Sequence, residues 1–267
     1  MRYSLFKCSI PVCLLLIVNS LFADKSLETL TFDEESMNVL IRQTAMPEMG
    51  ESRLETILAR YYSEGLGGVE NWKKIESLKV FGTLKTKTET FNLAAYQKKP
   101  NLIKITLRNE NKQFTLGYNG EKAWELLPDS RGKASEMDLA VARRFIHSAH
   151  FGNYLLYPYE QGKTVSYVDT VPVEGSICHQ IRVILDTSYQ VDYFIDIRTY
   201  LEIKVVNTDL SDQSVNSSIF TDYIREFDMP IAKNMHSYEN GEFVSELNLD
   251  EVKVNSGIMP WMFNMPN

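Results

Sequence analysis

The chain has 267 residues, 44% of them hydrophobic and 24% charged, and a formal net charge of −7 at pH 7. This is ordinary globular composition, which excludes a fibre or a largely disordered chain. The acidic balance argues against nucleic acid as a partner and against general attraction to anionic lipid.

Arg2 and Lys7 precede an apolar run over 8–18, and Ala23 offers a small residue for cleavage. The run is shorter than the roughly 20 apolar residues of a membrane span, so residues 1–23 read as a secretory signal peptide. Its removal would move the charge from −7 to −9 and leave Cys178 as the one remaining cysteine. No intramolecular disulfide is then possible, and Cys178 reads as a buried thiol packed like a small hydrophobe. Residues 24–50 form an N-terminal helical extension: Met37, Leu40, Ile41 and Ala45 share a face, Thr31 and Glu34 make a cap pair, and Met46-Pro47 ends it.

From Ser52, Leu54, Ile57, Leu58, Tyr61 and Tyr62 recur at the spacing of a helix that buries one face, and Ser52 with Glu55 has the spacing of a capping box. Gly65, Gly67 and Gly68 stop that helix, a short turn spans 69–75, and Leu78, Val80, Gly82 and Leu84 begin a strand of period two. Strands are predicted over 90–97, 102–108, 113–118 and 121–127, with Asn119-Gly120 as a tight hairpin. Ser135 with Asp138 suggests the start of a helix whose apolar side is Leu139, Ala142, Phe145 and Ile146; Phe151, Tyr154, Leu155, Leu156 and Tyr157 extend a helical insertion of about 30 residues. A second β run follows from about 163 through 177–185, 189–196, 201–208, 217–227, 232–239 and 242–254, with Asn240-Gly241 as another tight hairpin.

About eleven strands are more than a flat open sheet keeps without curling. The fold class is therefore α+β, a strongly curved antiparallel β-sheet, with residues 51–267 as a single domain. Side chains on a concave face cannot all meet one another, so a helix of the chain or a ligand must fill the hollow.

The chemistry-bearing motifs are absent: there is no G-x-S-x-G, P-loop or H-E-x-x-H, and the glycine cluster follows a helix where a dinucleotide site needs a strand. His147 and His150 lack a third ligand, so no metal is expected. Cys178 and His179 are adjacent on a strand and point to opposite faces, so they are no nucleophile and base pair. Asp192 and Asp196 read as solvated outer-face carboxylates. No cofactor and no catalytic residue is expected.

Several stretches carry a resemblance: ARYYSEGLGGVENWKKIESLKVFGTL (59–84), KKPNLIKITL (98–107), GYNGEKAWEL (117–126), YFIDIRTYLEIKV (193–205), TDYIREFDMPIAKNM (221–235), LDEVKVN (249–255) and the terminal FNMP (263–266). With them the chain resembles the periplasmic lipoprotein-carrier superfamily of LolA/LolB type, and within it the outer-membrane lipoprotein-sorting-protein-like group. The resemblance implies an open half-barrel with helices plugging its concave side, a soluble periplasmic carrier, and acyl chains held in the hollow. It also implies a lipid or lipoprotein acyl chain as partner, envelope transport proteins as a second class of partner, and a monomer.

The expected apolar lining is Val80, Leu84, Ile103, Ile105, Leu107, Phe114, Leu116, Trp124, Leu126, Val183, Tyr193 and Ile203, with Leu139, Phe145, Ile146, Phe151 and Leu155 as a lid. Ordinary core packing is the competing reading of each. The function expected is a non-enzymatic carrier for lipid or lipoprotein acyl chains. The alternative is a cell-envelope protein-interaction module whose helices permanently fill the half-barrel; a hydrolase ranks third, since no nucleophile with a base is visible.

Overall fold

The computed structural model describes residues 52–266; the expected signal peptide and the 24–50 extension lie outside them. Their contacts divide these residues into two compact units, one made of 70–153 with 216–266, the other of 52–69 with 154–215.

The first unit begins with the short helix α2 (Val69–Lys73), which follows α1 (Arg53–Arg60) of the second unit in the chain, and continues through β1 (Ser77–Thr86), β2 (Thr90–Lys98), β3 (Leu102–Arg108), β4 (Gln113–Tyr118), β5 (Ala123–Leu126), β6 (Ser135–Glu136) and α3 (Leu139–Ala149). It resumes with β11 (Val215–Glu226), β12 (Met229–Glu239), β13 (Glu242–Val254) and a 3-10 turn at Pro260–Phe263. Its strand order is β6-β5-β4-β3-β2-β1-β13-β12-β11, so sequential hairpins meet where the first strand pairs the last. Asn240 and Gly241 both take positive φ, 50° and 84°, and join β12 to β13 in the expected two-residue turn. Asn119-Gly120 instead belongs to a four-residue loop, because the Asn119 Oδ1 accepts from the amides of Glu121 (3.0 Å) and Lys122 (2.8 Å).

The β1–β13 seam has two local devices. The register shifts between Phe81 and Gly82, where a Cβ on Gly82 would stand 2.4 Å from the Asn248 carbonyl oxygen. At the other end Asn255, at φ 52°, accepts at Oδ1 from the amides of Glu76 (2.7 Å) and Ser77 (3.2 Å) and donates through Nδ2 to the Lys74 carbonyl (2.8 Å).

In the second unit, α1 (Arg53–Arg60) widens into a π-helical turn at Tyr61–Gly65, and the strands are β7 (Lys163–Val173), β8 (Ser176–Leu185), β9 (Tyr189–Asp196) and β10 (Glu202–Asp209), in the order β10-β9-β8-β7. The Ser52 hydroxyl accepts from the Glu55 amide (3.1 Å), the expected cap, while the Glu55 carboxylate accepts from the Tyr159 hydroxyl. The three glycines divide their roles. Gly67 and Gly68 take the positive φ that ends a helix, whereas Gly65 passes so close to the Tyr200 backbone that a Cβ would lie 2.0 Å from its oxygen.

Among the described residues thirteen strands, all antiparallel, and few helices make the expected α+β half-barrel class, with thirteen strands in place of about eleven. The expected 30-residue helical insertion shortens to α3. Ser135 sits in the two-residue strand β6, Asp138 is the residue before the helix, and 150–162 are turns and irregular backbone.

Candidate functional site

Alternation along β1–β4 separates an apolar inner face from a polar outer one, and the register carries the inner face across the strands. Val80 faces Ala95, Ala95 faces Ile105, and Ile105 faces Leu116; Leu107 faces Phe114, and Phe114 lies edge-on to Phe91 at 5.7 Å. In the other direction Leu84 faces Leu247, Leu247 faces Met235, and Met235 faces Phe220, so the same face runs on through β13, β12 and β11. Val80, Leu84, Ile103, Ile105, Leu107 and Leu116 are buried and Phe114 is half-buried. The structure thus brings these seven expected lining residues together on one face.

Over β4 and β5 lies α3. Its end is tied down by Gln97, fully buried on the inner face, whose Nε2 donates to the carbonyls of Ala149 (3.3 Å) and His150 (3.2 Å). Phe145 turns inward and is buried, and so is Phe151 beyond the helix end. Leu139 and Ile146 do not join this lid: Leu139 is 87% exposed and Ile146 also faces solvent. They lie seven residues apart on one stripe of the helix, about a quarter turn from the stripe that carries Phe145 and Ala149.

Trp124 and Leu126 are a second correction. Leu116 faces Glu125, while Gly117 faces Trp124 and Thr115 faces Leu126, so both side chains belong to the outer face. There the Trp124 ring lies against Gly117, where a Cβ would come within 2.3 Å of it, and its Nε1 donates to the Phe263 carbonyl (2.8 Å). The 3-10 turn Pro260–Phe263 packs on β3 and makes this outer-face tryptophan fully buried. The position left on the inner face belongs to Glu125, whose pKa is raised by burial and by the carboxylates of Asp138 and Asp129. Gln97, Tyr118 and Glu125, with the cross-strand row Ser218, Ser237 and Ser245, are polar inner-face residues that sequence reading passed over, and cross-strand register would have revealed them.

In the second unit Val183 and Tyr193 share an inner face with Ile181, Val191 and Val205. Ile203 is the unpaired residue at the β10 register shift and is half-buried. Leu155 is buried, and its carbonyl accepts from the Tyr62 hydroxyl. This face is covered by its own helix: Tyr61 donates to Glu202, and Arg53 donates to the Thr170 hydroxyl (3.2 Å). Arg53 also lies over the Tyr167 ring (4.2 Å) and Arg60 over Tyr200 (4.3 Å), while the His179 ring sits 6.3 Å from Tyr167 and 6.1 Å from Tyr200. Burial, with Arg53 and Arg60, lowers the His179 pKa, against the weaker pull of Asp196, and its Nδ1 is buried without a hydrogen bond.

The remaining chemical groups are structural. Burial and the Asp196 charge push the Cys178 thiol up to about 11, so it stays protonated and inert. Asp192 and Asp196, expected in solvent, are both buried. Asp192 accepts from Gln180 (3.0 Å) and Gln190 (2.7 Å) and pairs with Arg182 (2.8 Å). Burial works against the Asp196 charge, but the amides of Thr199 and Arg198 outweigh it and hold its pKa below the ordinary value. Among the described residues no three His, Cys, Asp or Glu side chains gather as metal ligands, and no helix is long and apolar enough to cross a membrane.

No protein-family model matches the chain, and no curated protein does. Solved structures do match. An outer membrane lipoprotein-sorting protein domain from Vibrio parahaemolyticus aligns with 79% of this chain and 95% of its own length, at a TM-score of 0.56 and 12% identity. A DUF1329 family protein from Desulfovibrio piger aligns with 77% and 96%, at 0.54 and 12%, and a LolA superfamily protein from Nitrosomonas europaea with 79% and 97%, at 0.54 and 9%. At such identities the likeness is one of fold, and the chain has the fold of the LolA-like lipoprotein-sorting domains.

Proposed function

We propose that this protein is an exported, periplasmic, non-enzymatic carrier that binds a lipid or a lipoprotein acyl chain against the inner face of β1–β4 beneath α3, with residues 51–267 acting as one domain and one copy as the working unit. The observation that carries this reading is the inner face itself: a predominantly apolar surface, spanning from Phe220 to Leu116, with one short helix of the same unit over its β4–β5 part. Apolar burial is worth about 25 cal/mol per Å2, so an acyl chain needs no charged handle there. Entry at the β4–β5 part requires α3 to lift, and its fastening is the Gln97 amide on two carbonyls. Transfer of sorted lipoproteins to the outer membrane is the finer form of the same reading, supported by the fold shared with sorting domains; envelope transport proteins would then be the macromolecular partners.

Native mass spectrometry of the protein purified from its own envelope tests this. A mass increment that extracts as lipid, and that is lost in Ile105→Glu with the fold retained, is the expected result. Ligand-free protein that also fails to take up added fatty acid or lipoprotein would end the carrier reading.

One observation favours a second reading, an envelope interaction module without lipid cargo. The inner face of β7–β10 is covered by the chain's own α1 and the turn that follows it, through Arg53, Arg60 and Tyr61. Capture of one stoichiometric protein partner, unaffected by lipid, would favour it.

A further inference from the structure

The outer face of the first unit carries a feature that the acidic overall charge conceals. Following the register across the strands, Lys253 faces Lys79, Lys79 faces Tyr96, Tyr96 faces Lys104, Lys104 faces Gly117, and Gly117 faces Trp124. Neighbouring strands are about 4.8 Å apart, so three lysines and a tyrosine span about 14 Å in one straight row. The Lys79 ammonium lies 5.2 Å from the Tyr96 ring, and Lys253 lies 5.9 Å from that of Phe81. Glu251 pairs with Lys253 at 2.9 Å, and Glu136, where the row ends, pairs with Lys122. Lys79 and Lys104 have no carboxylate within ion-pair distance among the described residues. Across the Lys104–Trp124 part of the row, packed on β3, sits the 3-10 turn, in which Phe263 is buried but Trp261 is 68% exposed and Met259 before it 52%.

We propose that this outer face docks the protein on an anionic phospholipid surface, the lysine row meeting the headgroup phosphates and Trp261 with Met259 entering the interface. A sheet face with its strands paired on both sides offers a peptide neither a cleft nor a free edge. A row of ammonium groups beside an exposed tryptophan instead matches the two layers of a membrane surface, anionic outside and apolar beneath. The proposal is independent of the carrier reading, since it uses the opposite face of the sheet.

The experiment is co-sedimentation of the full chain with vesicles of phosphatidylcholine containing phosphatidylglycerol, against phosphatidylcholine alone. Binding is expected to the anionic vesicles and to fall at high salt. The combined Lys79→Gln and Lys104→Gln variant should weaken it roughly ten- to thirty-fold, while Lys87→Gln, a charge removal outside the row at the β1–β2 loop, leaves it unchanged. Trp72 and Trp124 are buried, so a blue shift of intrinsic fluorescence on binding reports Trp261, and Trp261→Ala should abolish it. Equal binding to both vesicle types, no binding to either, or lysine variants that bind like the parent would each overturn the proposal, the second also being the outcome expected if an acidic protein were the true partner. Native mass spectrometry of the same variants reads cargo separately, so loss of docking with cargo retained, or the reverse, tells the two readings apart.

Discussion

The absence of a single methyl group at Gly117 decides where the Trp124 ring lies. With a Cβ placed 2.3 Å from that ring, Gly117→Ala must push it off the sheet and lift the 3-10 turn that its Nε1 holds. Overpacking of this kind costs about 1–3 kcal/mol, so the variant should unfold at lower urea than the parent and show red-shifted tryptophan emission. His179 is a second single-residue case, with Arg53 and Arg60 above it on the helix and Tyr167, Thr170, Tyr200 and Asp196 around it. Its folded pKa is depressed below the unfolded value of about 6.5, so between those two values the unfolded chain binds more protons. Its contribution is therefore complete above about pH 6.5 and is lost as the pH falls through the folded pKa. Urea midpoints at pH 7.5 and 5.5 should differ more in the parent than in His179→Gln; equal differences would remove His179 from the account.

Elements show which parts of this chain could be read in advance. Strand extents came close because alternation and turn residues are local: 102–108, 113–118, 189–196 and 242–254 were expected and observed. Facing was harder, because it depends on how many residues a turn contains. Phe114, Leu116, Trp124 and Leu126 all have even numbers, but a four-residue loop between Tyr118 and Ala123 sets even against odd, so the last two belong to the other face. The lid helix is legible only in part: its apolar spacing offers Leu139, Phe145 and Ile146, whereas the helix seats Phe145 and Ala149, and its length is set by tertiary contacts. Two fastenings joined by long-range contacts were not legible at all. Removing the first, with Gln97→Ala, should speed amide exchange across 139–149 while leaving β1–β3 protected, as hydrogen exchange would show. Removing the second, with Asn255→Ala, deletes three hydrogen bonds at the β1–β13 seam and should cost about 1–2 kcal/mol in urea unfolding.

At the scale of the molecule, composition describes an average that the fold does not respect. A chain with net charge −7 gathers ammonium groups in one row, and an apolar fraction of 44% is sorted into an inner face and a tryptophan on the outside. If the inner face carries acyl chains, added fatty acid should raise the thermal midpoint with the logarithm of its concentration above the Kd, and Gln97→Ala should bind faster without binding more tightly. The pairing of β1 with β13 also has a consequence in time. Strands β1 to β6 leave the ribosome, or emerge from an export channel, with one flank of β1 bare, and 62 residues of the second unit, 154–215, follow before the strands that complete the first. Trp124 likewise waits for a carbonyl 139 residues further on. Through that interval the nascent chain exposes an unpaired strand edge beside an uncovered apolar face, the combination that aggregates most readily. A cell that makes this protein must shield the half-finished chain until β13 arrives to close the seam.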